Sequence, residues 1–350
     1  MADLRIGVAG AGLIGLRHIA AIDAVPGVRL GAVIDPLPKA RELAEARGVD
    51  WFATPEDLRP GMLDGVILAT PNALHVPGGL ACIGLGLPVL VEKPVATTVA
   101  EARALIEAGE AAGVPVLTGH HRRHNPLIVK AKALIDEGRL GRLVSVQAQF
   151  WLRKPDDYFD TGWRREPGAG PVLVNLIHDV DLLRHLLGDV IAVQAVESHA
   201  ARGFAVEDSA VILLEFANGA LGTVNLSDTI PAPWSWEMTA AENPAYPATD
   251  QACYLIGGTE GALDLPRLRL WRHEGRQGWW EPLAATVYPH DHADPLLRQI
   301  AQFAAVIRGE EPPLVSGREG MKTLQVIEAV KQAAVERRRV PITADPRKER

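Results

Sequence analysis

Leu4-Arg5-Ile6-Gly7-Val8-Ala9-Gly10-Ala11-Gly12-Leu13-Ile14-Gly15-Leu16 is the stretch on which the fold turns. An apolar run, Leu4–Ala9, leads into a Gly-x-Gly-x-x-Gly at residues 10–15, and an amphipathic segment, Leu13–Ala24, follows. Between a strand and a helix, this spacing marks a turn that cradles a dinucleotide. Gly10 allows the tight turn, Gly12 lets the main chain approach a pyrophosphate, and Gly15 lets the helix lie close on its sheet. The N–H groups and positive dipole at the helix start then face the phosphates. Asp35 lies 20 residues after Gly15, at the end of the next apolar run. A carboxylate there accepts hydrogen bonds from both ribose hydroxyls and repels a 2′-phosphate. No arginine follows directly in Asp35-Pro36-Leu37-Pro38-Lys39, so NAD is expected over NADP. Lys39 opposes that preference, and capping of the Pro38 helix is the other use open to Asp35.

Outward from this stretch, short aliphatic runs alternate with amphipathic ones. Leu4–Ala9, Val28–Ile34, Gly65–Ala69, Val89–Glu92 and Val114–Thr118 read as buried parallel strands. Leu13–Ala24, Pro38–Arg47, Leu74–Leu85 and Val99–Ala112 read as the helices between them, with Thr97 or Thr98 capping the last. The alternation predicts an α/β Rossmann domain, a doubly wound parallel sheet, over residues 1–121. Gly65–Val91 holds no Asp, Glu, Lys or Arg over 27 residues, but three prolines and five glycines break it. It fits strand, loop, helix and strand better than a membrane span.

Beyond residue 142 the pattern changes. Arg142–Leu152, Ile191–Ala201, Ser209–Phe216 and Ala220–Ser227 are longer strands with polar interruptions, and Tyr254–Ile256 and Leu268–Trp271 are shorter ones. Asn218-Gly219 predicts a two-residue hairpin turn. One helix is expected over Val172–Leu187 and two more at Pro295–Arg308 and Gly317–Arg338, with Thr229–Asp250 a loop. Residues 122–350 are therefore expected to form an α+β domain with a large open, mostly antiparallel sheet. Aromatic residues follow the same division. Of 18 in the chain (8 Trp, 4 Tyr, 6 Phe), only Trp51 and Phe52 precede Phe150.

The chain of 350 residues is long enough for two domains. Its net charge of −7 argues against a nucleic-acid surface. Two distant cysteines, Cys82 and Cys253, make no disulfide framework, and no signal peptide is visible, so a soluble cytoplasmic protein is expected. The cationic end, with Arg337, Arg338, Arg339, Arg347, Lys348 and Arg350, reads as a solvated tail.

Further motifs lie in order along the chain. They are Ala69-Thr70-Pro71-Asn72-Ala73-Leu74-His75, Glu92-Lys93-Pro94, Gly119-His120-His121-Arg122-Arg123-His124-Asn125-Pro126, Gly162-Trp163-Arg164, His178-Asp179-Val180-Asp181-Leu182-Leu183, and the end from Gly317 to Ile342. In this set the chain resembles the Gfo/Idh/MocA family, named for glucose–fructose oxidoreductase and inositol dehydrogenase. The resemblance implies a Rossmann domain joined to an open sheet domain. It also implies hydride transfer between a nicotinamide and a secondary alcohol or ketone of a sugar, cyclitol or related ring. A homodimer or homotetramer, joined through the outer face of the second sheet, is implied as well. It places Gly10, Gly12, Leu13, Ile14, Asp35, Thr70, Pro71, Asn72, His75, Glu92 and Lys93 at the cofactor. His121, Arg122, Trp163, Arg164, Asn175 and His178 fall to the substrate.

Alcohol oxidation needs the hydroxyl proton removed as the hydride leaves, and a base with pKa near the working pH does this best. His178 suits the task without large tuning, and the Lys93 cation can stabilise a developing alkoxide. The Lys93–Pro94 bond is open to the cis form. The family's Lys–Asp–His pattern has an acid four residues before the histidine; here that position holds Val174, and Asn175 stands three before. Asn175 hydrogen-bonds without supplying charge, so either His178 or Lys93 remains open as the proton acceptor. Asp181 is a candidate to orient the imidazole. Trp163 and Arg164 are candidates to stack on a sugar and fork onto its hydroxyls, and Trp279-Trp280 to pack at a subunit boundary.

Three histidines at 120, 121 and 124, and His290-Asp291-His292, lack a convincing metal set, so no metal is expected. Three other readings stay open: a dihydrodiol dehydrogenase, a closed-cycle enzyme that re-reduces its own substrate on bound NAD, and a nucleotide sensor without chemistry.

Overall fold

The computed structural model describes residues 2–343. Arg347, Lys348 and Arg350 of the cationic tail lie outside the described residues. The chain divides into two compact units at Asn125/Pro126, with Ala293–Leu324 returning to the first unit and the chain from Gln325 onward to the second.

The first unit contains β1 (Leu4–Ala9), α1 (Leu13–Ala24), β2 (Val28–Ile34), α2 (Pro38–Arg47), β3 (Asp50–Phe52), β4 (Gly65–Leu68), α3 (His75–Gly84), β5 (Val89–Val91), α4 (Val99–Ala112) and β6 (Val116–Thr118). The strands run parallel in the order β3-β2-β1-β4-β5-β6. Strand order reverses between β1 and β4, where doubly wound sheets bind ligands beyond their carboxyl ends. Val66, Leu68, Val89 and Val91 pack one face against Leu105 and Ile106, while Ile6, Val8, Ile67 and Leu90 pack the other against Ile19 and Ile22. Each such side chain, fully buried, contributes about 1.5–3 kcal/mol. Of the two candidate caps for α4, Thr98 serves: its Oγ1 accepts the Glu101 N–H at 3.2 Å. β3 has three residues, too few for a periodic signal, and escaped the sequence reading.

The second unit contains α5 (Pro126–Asp136), β7 (Leu143–Trp151), α6 (Pro171–Val174), α7 (Leu176–Leu187), β8 (Val190–Ser198), β9 (Ser209–Phe216), β10 (Leu221–Ser227), α8 (Trp236–Thr239), β11 (Tyr254–Gly258), β12 (Ala262–Leu265), β13 (Arg269–Arg272), β14 (Ala284–Val287) and β15 (Val340–Pro341). Its nine strands run in the order β14-β13-β12-β11-β7-β10-β9-β8-β15. Only the β7–β10 pair is parallel among them. The core on one face joins Leu127, Ile128 and Leu134 of α5 and Ile177, Val180 and Leu183 of α7 to Val146, Ile212 and Val224 of the sheet.

Three expectations change. The helix over 172–187 is two helices, with Asn175 at the junction (φ −107°, ψ −54°), where its side chain makes no capping bond. The 218–219 turn has three residues: Phe216 N–H donates to Ala220 O at 3.0 Å, with Gly219 at φ +87°. The loop over 229–250 contains α8, whose Trp236 is buried.

Two further helices, α9 (Pro295–Ile307) and α10 (Gly317–Glu336), precede β15. Leu296, Ile300 and Phe303 of α9 join the core around Ile19 and Ile22, which is why this region belongs with the first unit. In α10, Met321 and Leu324 belong to the first unit's core and Val326, Ile327 and Val330 to the second's.

Candidate functional site

The glycine turn is made of main chain. Gly10 sits at φ +90°, and a Cβ there would lie 2.5 Å from the Ala69 carbonyl oxygen. A Cβ on Gly15 would lie 1.8 Å from the Gly10 carbonyl oxygen, so helix and strand touch through glycine alone. Gly12 is exposed, and a Cβ there would meet nothing within 4 Å. α1 starts at Gly12 without a side-chain cap, leaving its first-turn N–H groups to a ligand. Leu13, 86% exposed, and half-buried Ile14 sit on that turn.

Asp35 follows β2. One carboxylate oxygen accepts the Ala11 N–H at 2.8 Å and the other the Leu37 N–H at 2.9 Å. The acid thus braces the glycine turn and the start of α2 together. Each oxygen keeps a further lone pair for a ribose hydroxyl. Trp51 Nε1 donates to the Asp35 carbonyl at 2.9 Å. An uncapped helix, an open Gly12 and a fixed acid fit a dinucleotide with a free 2′-hydroxyl.

The motif after β4 divides in two. Thr70 is half-buried, and Pro71 and Asn72 are exposed. His75 is wholly buried, with Nδ1 2.9 Å from the Pro94 carbonyl and Nε2 2.9 Å from the Thr70 carbonyl. Burial lowers its pKa, against the two carbonyls that favour the protonated ring. The ring thus lies between two turns, and as a neutral imidazole it donates to one of the two carbonyls. Glu92, after β5, is also buried. His18 Nε2 donates to its Oε1 at 2.7 Å, and the Lys93 N–H donates to its Oε2 at 3.1 Å. Burial pushes the carboxyl up, but the His18 bond and the charges of His18, His121 and Lys93 outweigh it and hold the pKa down to about 2. Lys93 itself is half-buried at the carboxyl end of the sheet, before a cis Lys93–Pro94 peptide.

After β6, His121 is half-buried and Arg122 buried. Arg123 pairs with Glu319 at 3.0 Å. Among the described residues, no group of His, Cys, Asp and Glu is arranged to hold a metal.

In the second unit, His178 occupies the first turn of α7, half-buried, and its N–H donates to the Asn175 carbonyl at 3.1 Å. Asn175 Oδ1 is buried with no hydrogen-bond partner among the described residues. Asp179 accepts the Tyr254 hydroxyl, which commits it to the core, and Asp181 is buried as well. Glu207, which the sequence did not single out, accepts the Val172 N–H at 3.1 Å and pairs with Lys331 at 2.9 Å, fixing the start of α6. It packs on Gly170, where a Cβ would lie 2.1 Å from its Oε1.

Trp163 is 59% exposed. The Arg164 guanidinium lies 4.1 Å from the Tyr158 ring centre and 5.6 Å from that of Trp163, and donates to the Tyr158 carbonyl at 2.8 Å. Part of its fork is therefore already used. Arg153, Asp156 and Phe159 of the same loop line a cavity of about 420 Å³ with Arg202, Phe204 and Thr229.

Comparison with known proteins identifies the family. Residues 4–120 match the family described as oxidoreductase, NAD-binding Rossmann fold, and residues 128–264 match the GFO/IDH/MocA C-terminal domain. The scyllo-inositol 2-dehydrogenase (NAD(+)) of Bacillus subtilis is 31% identical over 76% of this chain and 75% of its own. Inositol 2-dehydrogenase 2 of Saccharopolyspora erythraea is 33% identical over 64% of this chain and 66% of its own. The crystal structure of the WlbA dehydrogenase from Bordetella pertussis, in complex with NADH and UDP-GlcNAcA, superposes with a TM-score of 0.77 at 26% identity, covering 98% of this chain and 100% of that one. The chain belongs to the Gfo/Idh/MocA family. It is an NAD-binding oxidoreductase of Rossmann-plus-open-sheet architecture.

Proposed function

We propose that the chain is an NAD-dependent dehydrogenase that interconverts CH–OH and C=O on a sugar, cyclitol or related hydroxylated ring. The observation that carries this reading is Lys93, half-buried at the carboxyl end of β5 with its main chain fixed by Glu92, in the unit that holds the uncapped dinucleotide turn. Relatives named for inositols, 1,5-anhydro-D-fructose and levoglucosan support the ring-alcohol class. Bound NAD supplies the hydride acceptor.

The protein's own residues do the rest. The Lys93 ammonium holds the reacting hydroxyl and stabilises negative charge on its oxygen. His178 accepts the hydroxyl proton, and the Asn175 side chain orients the substrate or the imidazole without adding charge. His121, Arg122, Trp163 and Arg164 contact the substrate ring. Asp35 selects the 2′-hydroxyl cofactor.

The test is NADH absorbance with myo-inositol, scyllo-inositol, levoglucosan, reduced and oxidised sugars and dihydrodiols, with NAD and NADP run separately. The reading expects NADH from at least one ring alcohol, with NAD the better cofactor. Preference for NADP would overturn the role of Asp35. Substrate conversion without NADH accumulation would replace the open reaction by the closed cycle.

We also propose a homo-oligomer joined through the open face of the nine-stranded sheet. There Val196, Val211, Leu213 and Leu221 are each 47–60% exposed, with Val211 opposite Val196. Size-exclusion chromatography of Leu213→Glu, expected to shift to monomer, checks it. A cytoplasmic location agrees with two free buried cysteines, and no helix among the described residues is long and apolar enough to cross a membrane. The negative net charge accords with a small-molecule partner rather than nucleic acid.

A further inference from the structure

Two buried histidines flank Lys93. On one side, His18 comes from α1, one turn past the glycines. It is wholly buried and donates from Nε2 to Glu92, whose other oxygen receives the Lys93 N–H. Glu92 is boxed in: a Cβ on Gly119 would lie 3.0 Å from its carboxyl group. On the other side, His75 comes from the start of α3 and contacts the carbonyl of Pro94, the residue after Lys93, and that of Thr70 in the motif after β4. The residues before and after Lys93 are each fixed by an imidazole from a different helix, and both helices begin at the carboxyl ends of central strands.

We propose that His18, through Glu92, and His75, through Pro94, are positioning residues that hold Lys93 at its working place, so that the helix receiving the dinucleotide and the turn carrying the lysine form one unit. The inference rests on the catalytic reading of Lys93. A backbone held this way loses little freedom when substrate arrives, and displacement of a reacting group by about 1 Å costs on the order of 10²-fold in rate. A buried carboxylate deprived of its donor cannot stay where it is, because an unsatisfied charged group is expensive to bury. Removing His18 therefore moves Glu92, and Lys93 with it.

The test uses the full chain with the ring alcohol it turns over best. His18→Leu is expected to lower kcat on the order of 10²-fold while NADH affinity, read by fluorescence, stays within about threefold. His18→Gln, which keeps an N–H near the Nε2 position, recovers most of the loss. For His75 the two nitrogens separate: His75→Asn keeps a donor at the Nδ1 position facing Pro94, and His75→Gln keeps one at the Nε2 position facing Thr70. The proposal requires His75→Gln to lose at least about tenfold more kcat than His75→Asn.

The double variant His18→Leu/Lys93→Met must turn over no more slowly than Lys93→Met alone, since a residue acting through Lys93 has nothing left to position. Additive losses would overturn the brace, as would a normal kcat in His18→Leu. Lys93→Met with normal turnover would instead overturn the catalytic reading of the lysine itself, so the two failures are distinct. If His18→Leu does not fold, the ratio of the two His75 variants and a crystal structure of His18→Gln decide. Lys93 main chain displaced in His75→Gln and in place in His18→Gln supports the proposal, and the reverse refutes it.

Discussion

The two units solve different problems with different materials. In the first, three aromatic residues, Trp51, Phe52 and Phe303, serve the whole unit, and its ligand turn is backbone brought close by Gly10 and Gly15. In the second lie the other aromatics, in a nine-stranded sheet with long loops, and its candidate groups are side chains such as His178, Asn175 and Trp163. A dinucleotide is invariant, so a fixed main-chain surface serves it. A substrate is particular, and recognition of its shape falls to side chains on loops, which can change without touching the scaffold.

The sharpest way to break that contrast is Gly15→Val. A Cβ already falls 1.8 Å from the Gly10 carbonyl oxygen, which is backbone and cannot rotate away. NADH binding, followed by fluorescence, should be lost by more than about 10²-fold, since the helix start can no longer lie where the phosphates need it. Retained binding would mean that the site is not built from backbone contact. Next in size, Lys93→Met removes the only charge asked to stabilise the alkoxide. It should cut kcat on the order of 10³-fold with NADH affinity little changed, as steady-state kinetics and fluorescence titration would show.

Glu92→Gln tests whether the first unit also depends on a side chain. The folded-state pKa is held to about 2, below the ordinary 4.5. Because it is depressed, the ionised group contributes stability that is fully present above pH 4.5 and is lost as pH falls from there towards 2. The contribution is about 3 kcal/mol at neutral pH. Urea melts at pH 7 and pH 3 should show the wild type losing stability on acidification, with Glu92→Gln weaker at pH 7 and less affected by acid. His178→Ala in the second unit should lower kcat on the order of 10²-fold if it is the base. A rise in KM alone would mark it as a binding group. Asn175→Asp restores an acid near it. A carboxylate there raises the imidazole pKa, so the rising limb of kcat/KM should move to higher pH.

The same contrast explains what could be read from sequence. β1, α1, β2, α2 and α4 match their expected bounds residue for residue, because buried aliphatic runs, glycines and caps are local signals. So is Asp35, whose spacing from Gly15 is set by one helix and one strand. The break at Asn175 was not legible, since the amphipathic pattern of Val172–Leu187 satisfies one helix as well as two. Nor was Glu207, whose partner Lys331 is 124 residues away. The hydrogen-bond partners of His75 were not legible either, since the Pro94 carbonyl comes from a turn 19 residues further on.

The smallest effect should come from Trp163, and it separates the units most cleanly. The ring is 59% exposed, with the Arg164 guanidinium 5.6 Å from its centre. An aromatic face offered to solvent and backed by a cation suits stacking on the C–H face of a sugar ring. Such a contact is the same for the bound substrate and for the reacting one, so its loss should appear in KM and not in kcat. Trp163→Ala should raise KM for the ring alcohol by about tenfold, near 1.4 kcal/mol. kcat and NADH affinity should move by less than about twofold, and Trp163→Phe should recover part of the loss because a ring face remains. Equal changes in substrate KM and NADH affinity would show that Trp163 serves the cofactor too, and that the division of labour between a backbone-made and a side-chain-made site is not kept at this residue.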